Sequence, residues 1–511
     1  VTPRPVMTPG TAAEAVRETA PGTAHVAVSE TARVTAPEPA AVHATAVAGT
    51  AAAVTEAYLR DPRLADAVQE TVFPPAFQEC WGARMLSRPL FVDGPELSRA
   101  AADVQDLFAL LVSLPGRLFG GDTARYCDAL GIAPDRAAVI SRFADARGRA
   151  TRYGRADLYH DGGAFKLLEF NIASDLGGTD RSQMQRALLT HPAFAAFAAE
   201  HGLDHVHIGE RMATALREAA LPLTGGGREP RVGLVCAPGG LAAFGHLLHA
   251  LAEMMRDLGL PFTLGELDGL TEQGDRLGLD GAPVDVVLRF FTVDDLCADP
   301  ASAARAELAF RAHEEGRAVL WTPMDSSLYS NKGALALLSD PATPFTEAER
   351  ALTDRLLPWT RLLADGPPTP GPHPGETVTD LLSFCREHRT ELLLKPLRDF
   401  GGTGVIPGWE CAPDHWTGLL RDRLSEATGP LTGLGNRWIV QRRVLPRAEP
   451  VLDPATGARS DWVAAWGLFL TPQGYAGTDV RAAPASASAV VNYGSNPLTR
   501  TTGVFTVGTA R

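Results

Sequence analysis

The chain has 511 residues, 45% of them hydrophobic and 21% charged, with a formal net charge of −13. That length allows about two to four domains around a large core, and no apolar run approaches the roughly 20 residues of a membrane span, so no membrane partner is expected. The acidic balance speaks against nucleic-acid binding, which needs a basic footprint, but leaves room for a local basic pocket that takes an anionic ligand.

Residues 1–45 are rich in Ala, Thr, Val, Pro and Glu without a sustained apolar period, and a flexible tail is expected. No segment here combines the charged and apolar regions of a secretory signal, so a reducing cytoplasm is the expected compartment. Six cysteines (Cys80, Cys127, Cys236, Cys297, Cys385 and Cys411) stand far apart with no C-x-x-C pair, which speaks against a zinc site or a disulfide scaffold. Residues 46–150 read as a helical region, with helix-like stretches such as LSRAAADVQDLFALLVSL broken by Pro-Gly and Gly-Gly.

Residues 155–178, RADLYHDGGAFKLLEFNIASDLGG, organise the rest of the chain. Asp161-Gly162-Gly163 between two alternating segments predicts a β-hairpin with a three-residue loop. Residues two apart in a strand share a face, so Arg155 and Asp157 project together, as do Glu169 and Asn171. Two carboxylates, an amide oxygen and a guanidinium then face one another, and hard oxygen donors so placed suit Mg²⁺. An ordinary ion pair on a solvated hairpin face fits the same residues, and the hairpin alone does not choose. By the same parity Lys166 falls on the face opposite Glu169.

Lysine is rare in this chain: of 47 basic residues only Lys166, Lys332 and Lys395 are lysine. Arginine supplies positive charge elsewhere, so a retained lysine points to a need for a compact ammonium, such as phosphate contact, or to chance survival. After a helical stretch the linker GGGREP marks a boundary, and residues 151–225 are expected to form a metal-binding part. Residues 228–325 follow with RVGLVCAPGG, an apolar helix to Leu258, PFTLGELDGL and DVVLRFF, a βαβ pattern with parallel strands. GxGxxG is absent there, so Gly239-Gly240 reads as a tight turn. Arg289, near the end of an apolar strand, is a candidate for holding an anionic substrate group, or is a structural ion pair with Asp294 or Asp295.

Residues 326–511 complete the chain. A helix beginning near Asn331 carries Lys332 in its first turn, where the helix dipole favours anions. Residues 365–376 form a loop and candidate lid hinge. An apolar strand delivers Lys395 into DFGGTG, and VIPGW resumes as a strand, so glycine backbone N–H groups can close over phosphates. The P-loop pattern is missing. NRWIVQRRVLP is β-rich, and the last two or three strands carry Arg481.

Together EFN, NKGALALL, LLLKPLRDFGGTGV, WIVQRRV and GTDVR resemble an ATP-grasp ligase, with the metal hairpin ahead of the glycine loop. That order is similar to the circularly permuted group typified by glutathionylspermidine synthase, over residues 149–492. The resemblance implies an α/β (α+β) fold: a permuted ATP-grasp with a βαβ pre-ATP-grasp-like domain and a helical N-terminal region. It implies Mg²⁺ on Asp157, Glu169 and Asn171, and ATP phosphates on Lys332 and Lys395 under a loop of Gly401, Gly402 and Gly404. Gln441 to Val444 would frame the adenine, Arg155 and Arg481 would stabilise the phosphoryl group, and Ser174 would bind the acceptor substrate. Thr403 departs from related loops, which often carry lysine there, and no amidase domain with a Cys/His pair is visible.

The implied activity is ATP-dependent joining of a carboxylate to an amine through an acyl phosphate, releasing ADP and phosphate. A phosphotransferase on a small molecule and a non-catalytic nucleotide-binding protein remain as alternatives. The expected partners are the small-molecule acid and amine, and a homodimer is compatible with the sequence.

Overall fold

The computed structural model describes residues 50–144, 153–398, 401–428, 437–487 and 490–508; the expected tail at 1–45 lies outside them. Between Thr50 and Arg142 six α-helices surround one short strand, Leu90–Asp93. The longest, Gly94–Phe119, buries Leu97, Val104, Leu107, Phe108, Leu111 and Leu114 at helical spacing and ends at Gly120, whose φ of 62° caps it. This buried stripe packs on the back of the hairpin, with Phe108 and Phe170 ring centroids 5.8 Å apart.

The hairpin forms from Gly154–His160 and Phe165–Asn171. Its loop has four residues, not three: Asp161 N donates to Ala164 O at 2.9 Å, and Asp161 Oδ1 accepts from Gly163 N and Ala164 N. The hairpin lies in a six-stranded antiparallel sheet with strands from the far end of the chain, in the order Arg500–Thr502, Gly474–Pro484, Arg459–Thr471, Gly154–His160, Phe165–Asn171; Ala448–Leu452 also pairs with Arg459–Thr471. Period-two alternation sends Ala156, Leu158, Phe170, Trp466, Leu468 and Val480 into the core. The other face presents Arg155, Asp157, Glu169, Asn171 and Arg481.

A second antiparallel sheet, in the order Thr360–Leu362, Trp438–Arg442, Leu392–Pro396, Ile406–Pro407, has its back covered by helices Leu381–Glu387 and Pro413–Thr428. Its open face carries Leu393, Lys395 and Gln441. The βαβ pattern forms as expected: Val319–Trp321, Val286–Arg289, Val232–Cys236 and Phe262–Glu266 make a parallel sheet, with helix Gly240–Asp257 as a crossover. A three-stranded meander over residues 270–284 is inserted before Val286. Finally Leu90–Asp93 pairs in parallel with Val504–Val507, joining regions about 400 residues apart. Among the described residues no helix is long and apolar enough to cross a membrane, and all six cysteines are free.

Candidate active site

A cavity of about 460 Å³ opens between the open faces of the two antiparallel sheets. Its lining combines Asp157, Glu169, Lys395, Arg481 and Asn492 with the apolar Leu393, Pro407, Val444, Leu445 and Val463, the latter accompanied by Glu410, Gln441, Arg442 and Arg443.

The charged cluster is built on strand register. Asp157 stands opposite Glu169 on one side and Gly467 on the other, and Gly467 stands opposite Asp479. Arg155 Nε donates to Asp157 Oδ1 at 2.6 Å and Nη2 donates to Oδ2 at 3.0 Å. Arg481 reaches the same Oδ2 at 2.7 Å, and Asn171 Nδ2 donates to it at 3.2 Å. Burial alone would push the Asp157 carboxyl up, but Arg155 and Arg481 outweigh it and hold it down at about 2. The Arg481 guanidinium is raised, with Asp157 and Asp479 overcoming its desolvation.

Glu169 reaches the cavity as the partner of Asp157, and just beyond that pair the register slips between Asp157 and Leu158, leaving Leu168 as an extra residue on the second strand that also lines the cavity. This bulge overturns the parity argument for Lys166. Lys166 pairs with Tyr159, which lines the cavity, so it shares the cleft face with Glu169. It stands on the sheet's edge strand, and its Nζ donates to Arg355 O at 2.6 Å.

Lys332 opens the helix Lys332–Ser339, whose N-cap Asn331 accepts from Gly333 N. Its Nζ lies 3.1 Å from Glu169 Oε2. Burial opposes ionisation of Glu169, yet Lys332 foremost holds its carboxyl below the usual range. Lys395 Nζ donates to Leu168 O at 3.0 Å. Burial draws its ammonium down to about 8, against the attraction of Glu169.

Gly401, Gly402 and Gly404 all have positive φ, which an L side chain rarely adopts. A Cβ on Gly402 would stand 2.4 Å from Val490 Cγ1, so the loop lies directly on the 490–495 segment over the cavity. Asp399 and Phe400 of the same motif lie outside the described residues. Gln441 is buried beside the cavity, its Nε2 donating to Thr360 Oγ1 at 3.1 Å, and Val444 is among the apolar lining residues.

Ser174 and Arg289 do not reach this cavity. Ser174 Oγ donates to Arg289 O at 2.6 Å and accepts from Thr322 N at 3.0 Å. Arg289 gives its donors to Thr322 O and Phe291 O, with Asp175 Oδ1 at 3.8 Å in place of the expected Asp294 or Asp295. It lines a separate space of about 60 Å³ with Asp175, Asn331 and Arg398.

One functional residue escaped the sequence reading. A Cβ on Gly467 would meet Arg155 Cδ at 2.6 Å, so only glycine lets Arg155 lie across its strand. Its signal was an isolated glycine within the strand pattern AWGLFL, a mark of close approach.

Two carboxylates and an amide suit a hard divalent cation. Arg155, Lys332, Lys395 and Arg481 converge on Asp157 and Glu169, a concentration of positive charge that favours an anionic ligand.

No family model matches the chain, nor does any curated protein. Among solved structures it is similar to a glutathione synthetase-like effector from Globodera pallida in its apo form, at 12% identity and a TM-score of 0.52, over 83% of this chain and 90% of that one. It is also similar to the protein named "Putative gamma-glutamylcysteine synthetase" from Methylobacillus flagellatus KT, at 12% identity and a TM-score of 0.39, over 82% and 90%. The first of these carries the likeness, which is one of fold.

Proposed function

We propose that the chain is an ATP-grasp carboxylate–amine ligase in the permuted order, forming an amide through an acyl phosphate and releasing ADP and phosphate. The observation that carries this reading is the meeting of Arg155, Asp157, Glu169, Lys332, Lys395 and Arg481, from four distant stretches of chain, in one cluster whose Asp157, Glu169, Lys395 and Arg481 line a cavity that also has apolar walls. The fold of the glutathione synthetase-like effector supports it by analogy.

Residues 151–225 supply the metal side and residues 326–511 the nucleotide side. The base of ATP takes the apolar wall beside Gln441 and Val444, and its phosphates take the cationic cluster. Asp157, Glu169 and Asn171 would hold Mg²⁺, which when bound neutralises phosphate charge. Arg155 and Arg481, which flank Asp157, would supply positive charge to the transferring phosphoryl group. Lys332 and Lys395 orient the phosphates as point donors. The loop of Gly401, Gly402 and Gly404 keeps water from the activated carboxylate until the amine attacks. Arg289 would hold an anionic substrate group and Ser174 the acceptor substrate from the separate space that Arg289 lines, outside the cavity proper.

The test is ADP release with ATP and Mg²⁺ over panels of amino acids and polyamines, followed by product mass. An amide product is expected, and Glu169→Gln and Asn171→Ala should each lose about 100-fold or more in turnover with circular dichroism unchanged. Near-wild-type ADP formation by either variant at saturating Mg²⁺ refutes the metal assignment. A phosphorylated product without amide refutes the ligase.

A further inference from the structure

Away from the cavity, one group of side chains among the described residues converges closely enough to hold a metal ion. One nitrogen each of His373 and His388 and one oxygen of Glu391 lie within 4.8 Å of one another. His373 Nε2 stands 3.2 Å from Glu391 Oε2, and His388 Nδ1 stands 3.6 Å from Glu391 Oε1. Two ligands at about 2.0–2.1 Å from a zinc ion and at the tetrahedral angle are about 3.3 Å apart; each imidazole stands near that distance from one of the two Glu391 oxygens, and a small closing movement of the three donors, now within 4.8 Å of one another, completes a shell around an ion. The other nitrogen of His388 faces Glu376 Oε1 at 4.0 Å. A carboxylate on that side, once it closes to hydrogen-bond distance, orients a metal-bound imidazole through its second nitrogen.

The ligands are held before any ion arrives. His373 sits between Pro372 and Pro374, which restrict the backbone on both sides. Its N–H donates to Glu376 Oε2 at 3.2 Å, and Gly371 N donates to Glu376 O at 3.0 Å, so the 371–376 loop folds around the Glu376 side chain. The His388 ring stacks on Phe384 with centroids 4.2 Å apart. Glu391 is fixed through its carbonyl, which accepts from Arg443 N at 2.7 Å. Partial exposure of both imidazoles and a groove of about 870 Å³ lined by His373 and Glu376 give an ion a way in.

We propose that His373, His388 and Glu391 form a binding site for a divalent transition-metal ion of the zinc type, with Glu376 orienting His388. Imidazole nitrogens select zinc and its neighbours over Mg²⁺ and Ca²⁺, which take oxygen ligands. The ion would clip the 371–376 loop to the turn at residues 389–391, where the strand bearing Lys395 begins. Cysteine spacing had spoken against a zinc site; this one uses no cysteine and shares no residue with the Asp157 cluster.

Calorimetric titration with ZnCl₂ of the full chain, stripped with a chelator and kept in excess Mg²⁺, tests the site without reference to activity. One zinc ion per chain is expected, bound about tenfold or more weakly by His373→Ala and by His388→Ala, and retained by Glu169→Gln. Zinc should also raise the melting temperature of the wild type but not of His373→Ala, whose exposed side chain makes its metal-free melting normal. Failure of the wild type to bind zinc, or undiminished binding by the His373→Ala/His388→Ala double variant, overturns the proposal.

Discussion

Lys395 carries its ammonium into a buried position, and the loss of hydration brings its pKa down to about 8. Below that pH it is a cation ready for phosphate; above it the free protein has lost the proton, so anion affinity must fall as pH rises. We expect the nucleotide Kd, measured between pH 7 and 9.5, to weaken through about 8 in the wild type and to be weak and flat in Lys395→Met. Lys395→Arg should not rescue it, because a planar fork does not replace a point donor in a packed site. Lys166→Arg, at a side chain bonded to Arg355 O, is the internal control and should be near silent. An undiminished slope in Lys395→Met would assign the titration elsewhere. Gly467 offers a second test at this scale. Gly467→Ala puts a methyl where Arg155 lies, and overpacking of this kind costs about 1–3 kcal/mol. Arg155 must then leave Asp157 and Gly177 O. Turnover should drop about tenfold or more in Gly467→Ala and further in Gly467→Val, and wild-type kinetics in the valine variant would sink the argument. The sequence disclosed most of this cluster because each pair is two apart on one strand. It misplaced Lys166 because counting by twos assumes an unbroken ladder, and nothing in KLLEF announces the extra residue at Leu168.

Whole elements were legible where glycine or alternation marked their ends. The hairpin followed from Asp161-Gly162-Gly163, the βαβ unit from its apolar runs, and the helix at Lys332 from the polar loop that precedes it near Asn331. The meander at 270–284 was missed because its strands have only three or four residues and mix polar with apolar ones. The glycine loop was legible as a loop, whereas its seat on the 490–495 segment depends on a contact about 90 residues away. That seat makes a graded prediction. Gly401 and Gly402 share positive φ, so alanine is strained at both by roughly 1 kcal/mol or more. At Gly401 the nearest atom to a new Cβ is 3.4 Å away, on Asn492, while at Gly402 it is Val490 Cγ1 at 2.4 Å. Gly402→Ala should therefore raise the KM for ATP several-fold more than Gly401→Ala and release more ADP per product formed, since a displaced loop admits water. Equal effects at the two glycines would leave backbone strain as the whole cause. Recovery of KM in Gly402→Ala/Val490→Ala would identify the contact.

At the scale of the molecule, the site exists only because strands far apart in sequence become neighbours. Gly154–His160 pairs with Arg459–Thr471 across about 300 residues, and no local pattern encodes such a pairing. The parallel pairing of Leu90–Asp93 with Val504–Val507 was equally invisible, since short apolar runs do not name their partners. That pairing fastens the N-terminal helices to the end of the sheet bearing Arg481: Met85 bridges Thr501, and Thr501 pairs with Arg481. Its keystone is Phe505, fully buried against Phe194 at a centroid distance of 5.1 Å, in a cluster with Tyr58, Phe91 and Phe197. None of these residues lines the cavity, so stability and binding should separate here. Phe505→Ala is expected to cost about 3–5 kcal/mol in denaturant unfolding, the usual range for truncating a buried phenylalanine. Phe505→Leu, which keeps most of the volume, should cost less. Nucleotide Kd, measured well below the melting transition, should stay within about twofold of wild type in both. A stability loss accompanied by a proportionate loss of affinity in the folded protein would mean that this seam sets the position of Arg481, and that the N-terminal helices belong to the site rather than to its support.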